Sequence, residues 1–247
     1  MARYDFATHR LFIHEDIAAG EPVALTPEAF NYLAHVLRMP EGGKLLTFNG
    51  RDGEWRAEFR FSGKKSGILV PVECTRAQTV LGRIHLAFAP LKAARLDYMV
   101  QKAVEMGVAS LTPVLTRRTQ VRGLKSEKLR ANAIEAAEQC GVLALPAILP
   151  EITLERFLAE QPPETTLVFC DEASETADPI AILRAADPNG SIIVLIGPEG
   201  GFDEGERQKL LARPRVIRLS LGPRILRADT AAVAALTAAQ IALGDWR

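Results

Sequence analysis

From residue 84 onward the chain repeats one unit: a short run of β-branched and other apolar side chains, a loop, then a helical pattern. The runs are Ile84 to Ala89, Ser110 to Leu115, Thr165 to Cys170, Ser191 to Ile196 and Val216 to Leu221, and helical patterns fall near 95–106, 126–140, 203–213 and 229–243. Ile192 to Ile196 is an unbroken apolar run, as in a strand buried on both faces, and the other four runs also read as strands. Alternating with helices, they specify an α/β layer structure around a mostly parallel sheet. The last helix, Asp229 to Gly244, is nearly devoid of charge and rich in Ala, with Val233, Leu236, Ile241 and Leu243. Such a helix packs on two sides, in a core or across a dimer interface.

Two of the strands end in glycine-bearing bends. Ile192 to Ile196 enters Gly197-Pro198-Glu199-Gly200-Gly201-Phe202, and Val216 to Leu221 enters Gly222-Pro223-Arg224-Ile225-Leu226-Arg227. Glycines permit left-handed dihedrals and leave main-chain N–H and C=O groups bare, so a ligand can be read by backbone. A plain strand-to-helix turn is the alternative for either bend alone. Two of them at strand ends can border one crevice at the carboxyl edge of the sheet, where ligands of open α/β sheets sit. Asp203, with Glu206 three residues on, resembles a capping box, so the first bend abuts a helix amino terminus that favours electron-rich ligand atoms.

A different composition precedes residues 74–82. Leu11 to Ile13, Lys44 to Phe48, Glu54 to Phe61 and Gly67 to Glu73 are strand-like, with a strong turn signal in Asn49-Gly50-Arg51-Asp52-Gly53. One helix interrupts them: Thr26-Pro27 supplies a cap and a first-turn proline, and Phe30, Leu33, Ala34 and Leu37 share a face. The reading is a small β-rich domain, 1–74, followed by an α/β domain, 75–247.

The formal charge is zero, 30 basic against 30 acidic residues, but the charges are segregated. Residues 75–130 hold 11 Lys or Arg and 3 Asp or Glu, 131–206 hold 2 and 15, and 207–247 hold 8 and 2. A stretch with Arg117, Arg118, Arg122, Lys125, Lys128 and Arg130 can follow a phosphate backbone through counterion release, or form a solvated helix face. Cys74, Cys140 and Cys170 are odd in number and lack Cys-x-x-Cys spacing, which argues against a disulfide framework or a zinc site. No run of eighteen apolar residues and no secretion signal is present, so a cytoplasmic protein without a membrane segment is expected. Dinucleotide, phosphate-loop, zinc-hydrolase and serine-hydrolase motifs are absent, and His9, His14, His35 and His85 lie away from the glycine bends.

Gly-Pro-Glu-Gly-Gly at 197–201 followed by Leu-Ser-Leu-Gly-Pro-Arg-Ile-Leu-Arg at 219–227 resembles the paired signature of the ribosomal RNA small subunit methyltransferase E family, within the SPOUT superfamily. Further similarity lies in Leu96 to Gly107, Thr112-Pro113, Glu138-Gln139-Cys140-Gly141, Arg10-Leu11-Phe12 and His35-Val36-Leu37-Arg38, and so spans nearly the whole chain. The resemblance implies a trefoil-knotted methyltransferase domain behind a PUA-like β-barrel, a homodimer, and methyl transfer from S-adenosylmethionine to N3 of one uridine in small-subunit (16S) ribosomal RNA, free or in the assembled subunit. Two positions depart from the family pattern. Val142 stands where Arg is expected, and Ala228-Asp229-Thr230 where Thr-Glu-Thr is usual.

On this basis Ile196, Gly197, Glu199, Gly200, Gly201, Leu219, Ser220, Leu221, Gly222, Ile225 and Leu226 are expected to hold the cofactor. Arg10, Arg38, Arg117, Arg118, Arg122 and Arg224 are expected to contact RNA, with His35 either beside them or an ordinary surface histidine. Arg227 is the candidate for stabilising negative charge on the uracil oxygens, a phosphate contact or a structural ion pair being the alternatives. Glu199 is the candidate carboxylate for the N3 proton, a loop hydrogen bond being its alternative. Asp229 is expected to cap the last helix. The chemistry asks for no metal. A related enzyme acting on another RNA position, such as a ribose oxygen, and a ribosome-assembly factor without turnover are the competing functions.

Overall fold

The computed structural model describes residue 5 and residues 7–171, 178–186 and 189–246. The chain divides into two compact units, Met1–Val80 with Ala137–Leu145, and Leu81–Ala136 with Pro146–Arg247.

The first unit is built on a five-stranded sheet in the order β1-β3-β4-β5-β2, from β1 (Arg10–Phe12), β2 (Val23–Ala24), β3 (Lys44–Phe48), β4 (Glu54–Gly63) and β5 (Ser66–Arg76). β1 runs parallel to β3 and the other pairs are antiparallel. Leu33, Leu45, Phe59 and Leu69 are fully buried at its centre. The Asn49–Gly53 turn forms as its residues dictate: the Asn49 side-chain oxygen accepts from the backbone N–H of Arg51 and Asp52, and Gly50 and Gly53 take positive φ.

Thr26 caps α1 (Pro27–Asn31), its hydroxyl accepting from Ala29 N–H at 3.2 Å. The helix then widens into a π turn over Tyr32–Val36, closed by Leu37 N–H to Tyr32 C=O at 2.9 Å, where the 3.6 periodicity predicts an unbroken α-helix. Phe30 and Leu33 are buried on either side of the change. Just beyond it Arg38 is left-handed at φ 52°, alone in this among the described non-glycine residues.

The strand expected to end near Glu73 continues to Arg76, which pairs in register with Glu54, and the first segment of the unit ends at Val80, within the 74–82 stretch where the composition shifts. The reason is electrostatic. Glu54 is 2% exposed and receives Arg10 Nε at 2.8 Å, Arg76 Nη2 at 2.7 Å and the Thr75 hydroxyl at 2.9 Å. Burial acts to raise its pKa, but the hydrogen bonds from Arg76, Arg10 and Thr75 win and hold the carboxyl below its ordinary value. Arg76 also donates to the Gly141 carbonyl at 2.8 Å, and the Arg10 guanidinium lies against Gly141, so two guanidinium groups converge beside Val142 without the arginine that the family pattern places there.

The second unit is a parallel sheet in the order β12-β10-β11-β6-β7-β8, with β9 on β7. Its strands are β6 (Ile84–Phe88), β7 (Ser110–Leu115), β8 (Ala147–Ile148), β9 (Ile152–Thr153), β10 (Thr166–Cys170), β11 (Ile192–Ile196) and β12 (Val216–Leu219). Its helices are α2 (Ala93–Glu105), α3 (Ser126–Cys140, whose last residues group with the first unit), α4 (Leu154–Glu160), α5 (Pro179–Arg184), α6 (Glu204–Leu211) and α7 (Ala228–Leu243). Every residue of β11 is buried, as its unbroken apolar sequence requires. Phe157, Phe169 and Leu195 anchor the core on one side of the sheet. α7 packs against α2, α5 and β11 and buries Ala232, Ala235, Leu236 and Ala239, the small side chains allowing close approach. β12 returns to the far side of β10, so the chain doubles back before entering α7.

Candidate functional site

Parallel pairing brings the carboxyl ends of β10, β11 and β12 to one edge of the sheet. A cavity of about 700 Å³ opens there. β10 lies between the other two strands, so the two glycine bends flank its end rather than adjoin. The first bend contributes Ile196, Gly197, Glu199 and Gly201 to the wall, and the second contributes Leu219, Ser220, Leu221, Gly222, Ile225 and Leu226. Gly200, expected among them, is not in the wall. It is turned toward Arg118, whose Nη1 donates to the Gly200 carbonyl at 2.7 Å.

Each bend has a local cause. Gly201 N–H donates to Pro198 C=O at 2.9 Å and Gly201 takes φ 68°, closing a tight turn. A side chain on Gly197 would start 2.5 Å from the ring of Phe202, which stands edge-on to Phe169 at 5.3 Å. Gly222 is left-handed at φ 99°. After the first bend Asp203 and Glu206 form the expected capping box on α6. Backbone N–H of Glu206, then Arg117, hold the Asp203 carboxyl below its usual range. The amino end of α6 is thus served by the chain's own carboxylates, which removes the helix terminus as a reason for an anionic ligand group to settle there. Glu206 is buried and also accepts from Arg117 N–H at 2.8 Å.

Arg227 and Arg224 both line the cavity, are exposed and have no ion pair among the described residues. Arg227 is itself the amino-terminal flanking residue of α7, in extended geometry. Asp229 therefore lies inside the first turn and is not the cap; its Oδ1 is buried without a hydrogen-bond partner. Glu199 reaches the cavity and is ion-paired with Arg95.

Four groups in or beside the wall, Asp171, Arg207, Arg218 and Cys170, are not among the site residues expected from the sequence. Asp171, directly after β10, is 4% exposed and holds Arg207 Nη2 at 3.0 Å and Arg218 Nε at 2.9 Å. The hydrogen bond and charge of Asp171 raise the pKa of Arg207 above its ordinary value. Burial pushes the Cys170 thiol up to about 12, so it stands in the cavity as a neutral group. A carboxylate that immediately follows a fully apolar strand was the available signal for Asp171.

Of the arginines expected to meet RNA, Arg224 lies in the cavity wall, Arg118 is tied to Gly200, and Arg117 pairs with Asp203 at 3.1 Å while remaining largely exposed. Arg122 and, in the first unit, Arg38 are exposed. Arg10 is a correction. Its side chain is buried against Glu54 and also donates to the Asp5 carbonyl, which commits it to the fold. Among the described residues no cluster of His, Cys, Asp or Glu is placed to hold a metal ion, and no helix is long and apolar enough to cross a membrane.

Comparison with known proteins places these features in context. Residues 78–240 match the family model of an RNA methyltransferase domain, and residues 25–72 that of an RNA methyltransferase PUA domain. The chain is 30% identical over 229 residues to ribosomal RNA small subunit methyltransferase E of Rickettsia conorii, covering 92% of this chain and 93% of that protein. It is 27% identical over 235 residues to its namesake in Bacillus subtilis, covering 91% of each. The solved structure of ribosomal RNA small subunit methyltransferase E from Neisseria gonorrhoeae, bound to S-adenosyl methionine, superposes with a TM-score of 0.85 at 28% identity, over 97% of this chain and all of that one. A putative methyltransferase from Legionella pneumophila in complex with the same cofactor gives 0.83 at 30% identity, over 95% and 98%.

Proposed function

The chain belongs to the ribosomal RNA small subunit methyltransferase E family, and from that membership we propose that it transfers the methyl group of S-adenosylmethionine to N3 of a uridine in small-subunit ribosomal RNA. The observation that carries the reading is the cavity in which both glycine bends, Glu199 and Arg227 converge. Its walls fit a nucleoside: Ile196, Leu219, Leu221 and Leu226 supply apolar surface for a base, while the Gly197, Gly201 and Gly222 stretches let main-chain groups approach its edges. The sulfonium donor supplies an already activated methyl group. What remains for the protein is alignment and charge.

Uridine N3 carries a proton at neutral pH, and its loss leaves negative charge on the ring oxygens. Arg227, exposed in the wall and without an ion pair among the described residues, is the group we assign to meet that charge. Glu199, ion-paired with Arg95 in this structure, is the carboxylate at the cavity to which we assign the proton. Arg224, Arg117, Arg118 and Arg122 are assigned to the RNA backbone, with Arg38 on the PUA-like unit. The second unit thus carries methyl transfer and four of these arginines, and the first unit adds Arg38 to RNA docking. The doubled-back path through β12 to α7 suits the trefoil knot that accompanies the family likeness. We further assign a homodimer, a cytoplasmic location and small-subunit RNA, free or assembled, as the partner.

Calorimetric titration with S-adenosylmethionine is expected to show one site per chain, and nucleosides from cells lacking the gene are expected to have lost N3-methyluridine from small-subunit RNA. Persistence of that nucleoside refutes the assigned substrate.

A further inference from the structure

Beside the cavity, and sharing Pro198 and Glu199 with it, runs a small cleft lined by Lys92, Arg118 and Gln120. Glu199 thus stands on the wall between the two. Its carboxylate is the anion in a group of cations drawn from separate elements: Arg95 from the first turn of α2, Lys92 just before it, and Arg118 from the loop after β7. Lys92 has no ion pair among the described residues, and the Arg95 and Glu199 side chains remain 38% and 39% exposed, so the pair is open to exchange with solvent anions. An exposed carboxylate–guanidinium pair is held by little free energy. Phosphate outcompetes carboxylate for such a cluster because it offers more acceptor oxygens and more charge to a guanidinium fork.

We infer that Lys92, Arg95 and Arg118 seat a backbone phosphate of the RNA next to the acceptor nucleotide, and that Glu199 occupies Arg95 in place of that phosphate until RNA arrives. The inference rests on the proposed RNA substrate and deepens it. Arrival of the phosphate takes Arg95 from Glu199 and leaves the carboxylate to the cavity side of the wall, where the methyl-transfer reading needs it. RNA docking and readiness of the site are then one event. Arg95 is a positioning residue in this scheme, acting on the reaction through Glu199.

The test measures small-subunit RNA binding across salt concentrations for the wild-type protein, Arg95→Gln, Glu199→Gln and the double variant, with calorimetry of S-adenosylmethionine and urea unfolding as controls. Arg95→Gln is expected to weaken RNA binding about tenfold and to reduce the slope of log affinity against log salt by about one, while cofactor affinity and unfolding midpoint stay at wild-type values. Glu199→Gln is expected to tighten RNA binding when Arg95 is present and to have no such effect in the Arg95→Gln background. Wild-type RNA affinity and slope in Arg95→Gln, or equal tightening by Glu199→Gln in both backgrounds, overturns the inference. A wild-type protein that binds RNA in this manner yet methylates none overturns the proposed activity instead; one that binds no RNA overturns both.

Discussion

Arg10 and Arg227 carry the same guanidinium into opposite circumstances. Arg10, in the β-rich unit, is buried on Glu54 together with Arg76, and each partner's hydrogen bonds are used inside the fold. Arg227, in the cavity wall of the α/β unit, has no ion pair among the described residues. Charge in a sequence therefore says little about availability. The number of buried acceptors around a cation decides whether it serves stability or chemistry, and the contrast can be tested from both ends.

The largest effect is expected at Glu54. Replacing Glu54 by Gln leaves two guanidinium groups without their shared anion, and breaking a buried pair in this way costs about 3–5 kcal/mol, read from the urea midpoint. The sign with pH follows from the lowered pKa of Glu54 in the fold. Its contribution is present above the unfolded value near 4.5 and is lost as pH falls through the folded one, so wild-type stability drops in that acid range and Glu54→Gln shows a flatter profile. An unchanged midpoint in Glu54→Gln would mean that the triad is ornamental to stability.

Next in size is Arg227. Arg227→Ala is expected to lower turnover about 10²–10³-fold, the scale of losing one preorganised charge stabiliser, while the unfolding midpoint and the cofactor dissociation constant stay near wild type. A matching loss of cofactor affinity would place Arg227 with the binding groups, and a fall in stability would place it with Arg10. The smallest effect concerns two thiols. Cys74 is exposed in the first unit, whereas Cys170 is held neutral by burial, so at pH 8 iodoacetamide is expected to label Cys74 well before Cys170, as read by peptide mass mapping. Faster labelling of Cys170 would show the cavity to be wetter than its walls suggest.

The α/β rhythm was legible because each of its main strands is rich in apolar side chains, β11 without interruption, and α2, α3, α6 and α7 fall within a few residues of their patterns. β2, β8 and β9 are two residues long and carry no period at all. The π turn at Tyr32–Val36 keeps the composition of an α-helix, so nothing local distinguishes it. At the site, the glycine bends were readable because backbone freedom is a property of the residue itself. Arg95, Asp171 and Arg218 were not, since their roles come from partners 104 and 47 positions away. Arg10 failed for the same reason: its exposure depended on Glu54, whose burial depended in turn on Arg76.

The straps across the loop after β7 bear on when the protein can act. Glu206 holds Arg117 N–H, Asp203 holds the Arg117 side chain, and Arg118 holds Gly200, joining segments more than eighty positions apart. The cavity wall itself is drawn from residues 169–231, and α7 follows at its edge. Such long-range closure forms late in folding. The cavity is therefore completed only when the second bend and the first turn of α7 dock against the ends of β10 and β11, which makes it one of the last parts of this unit to close.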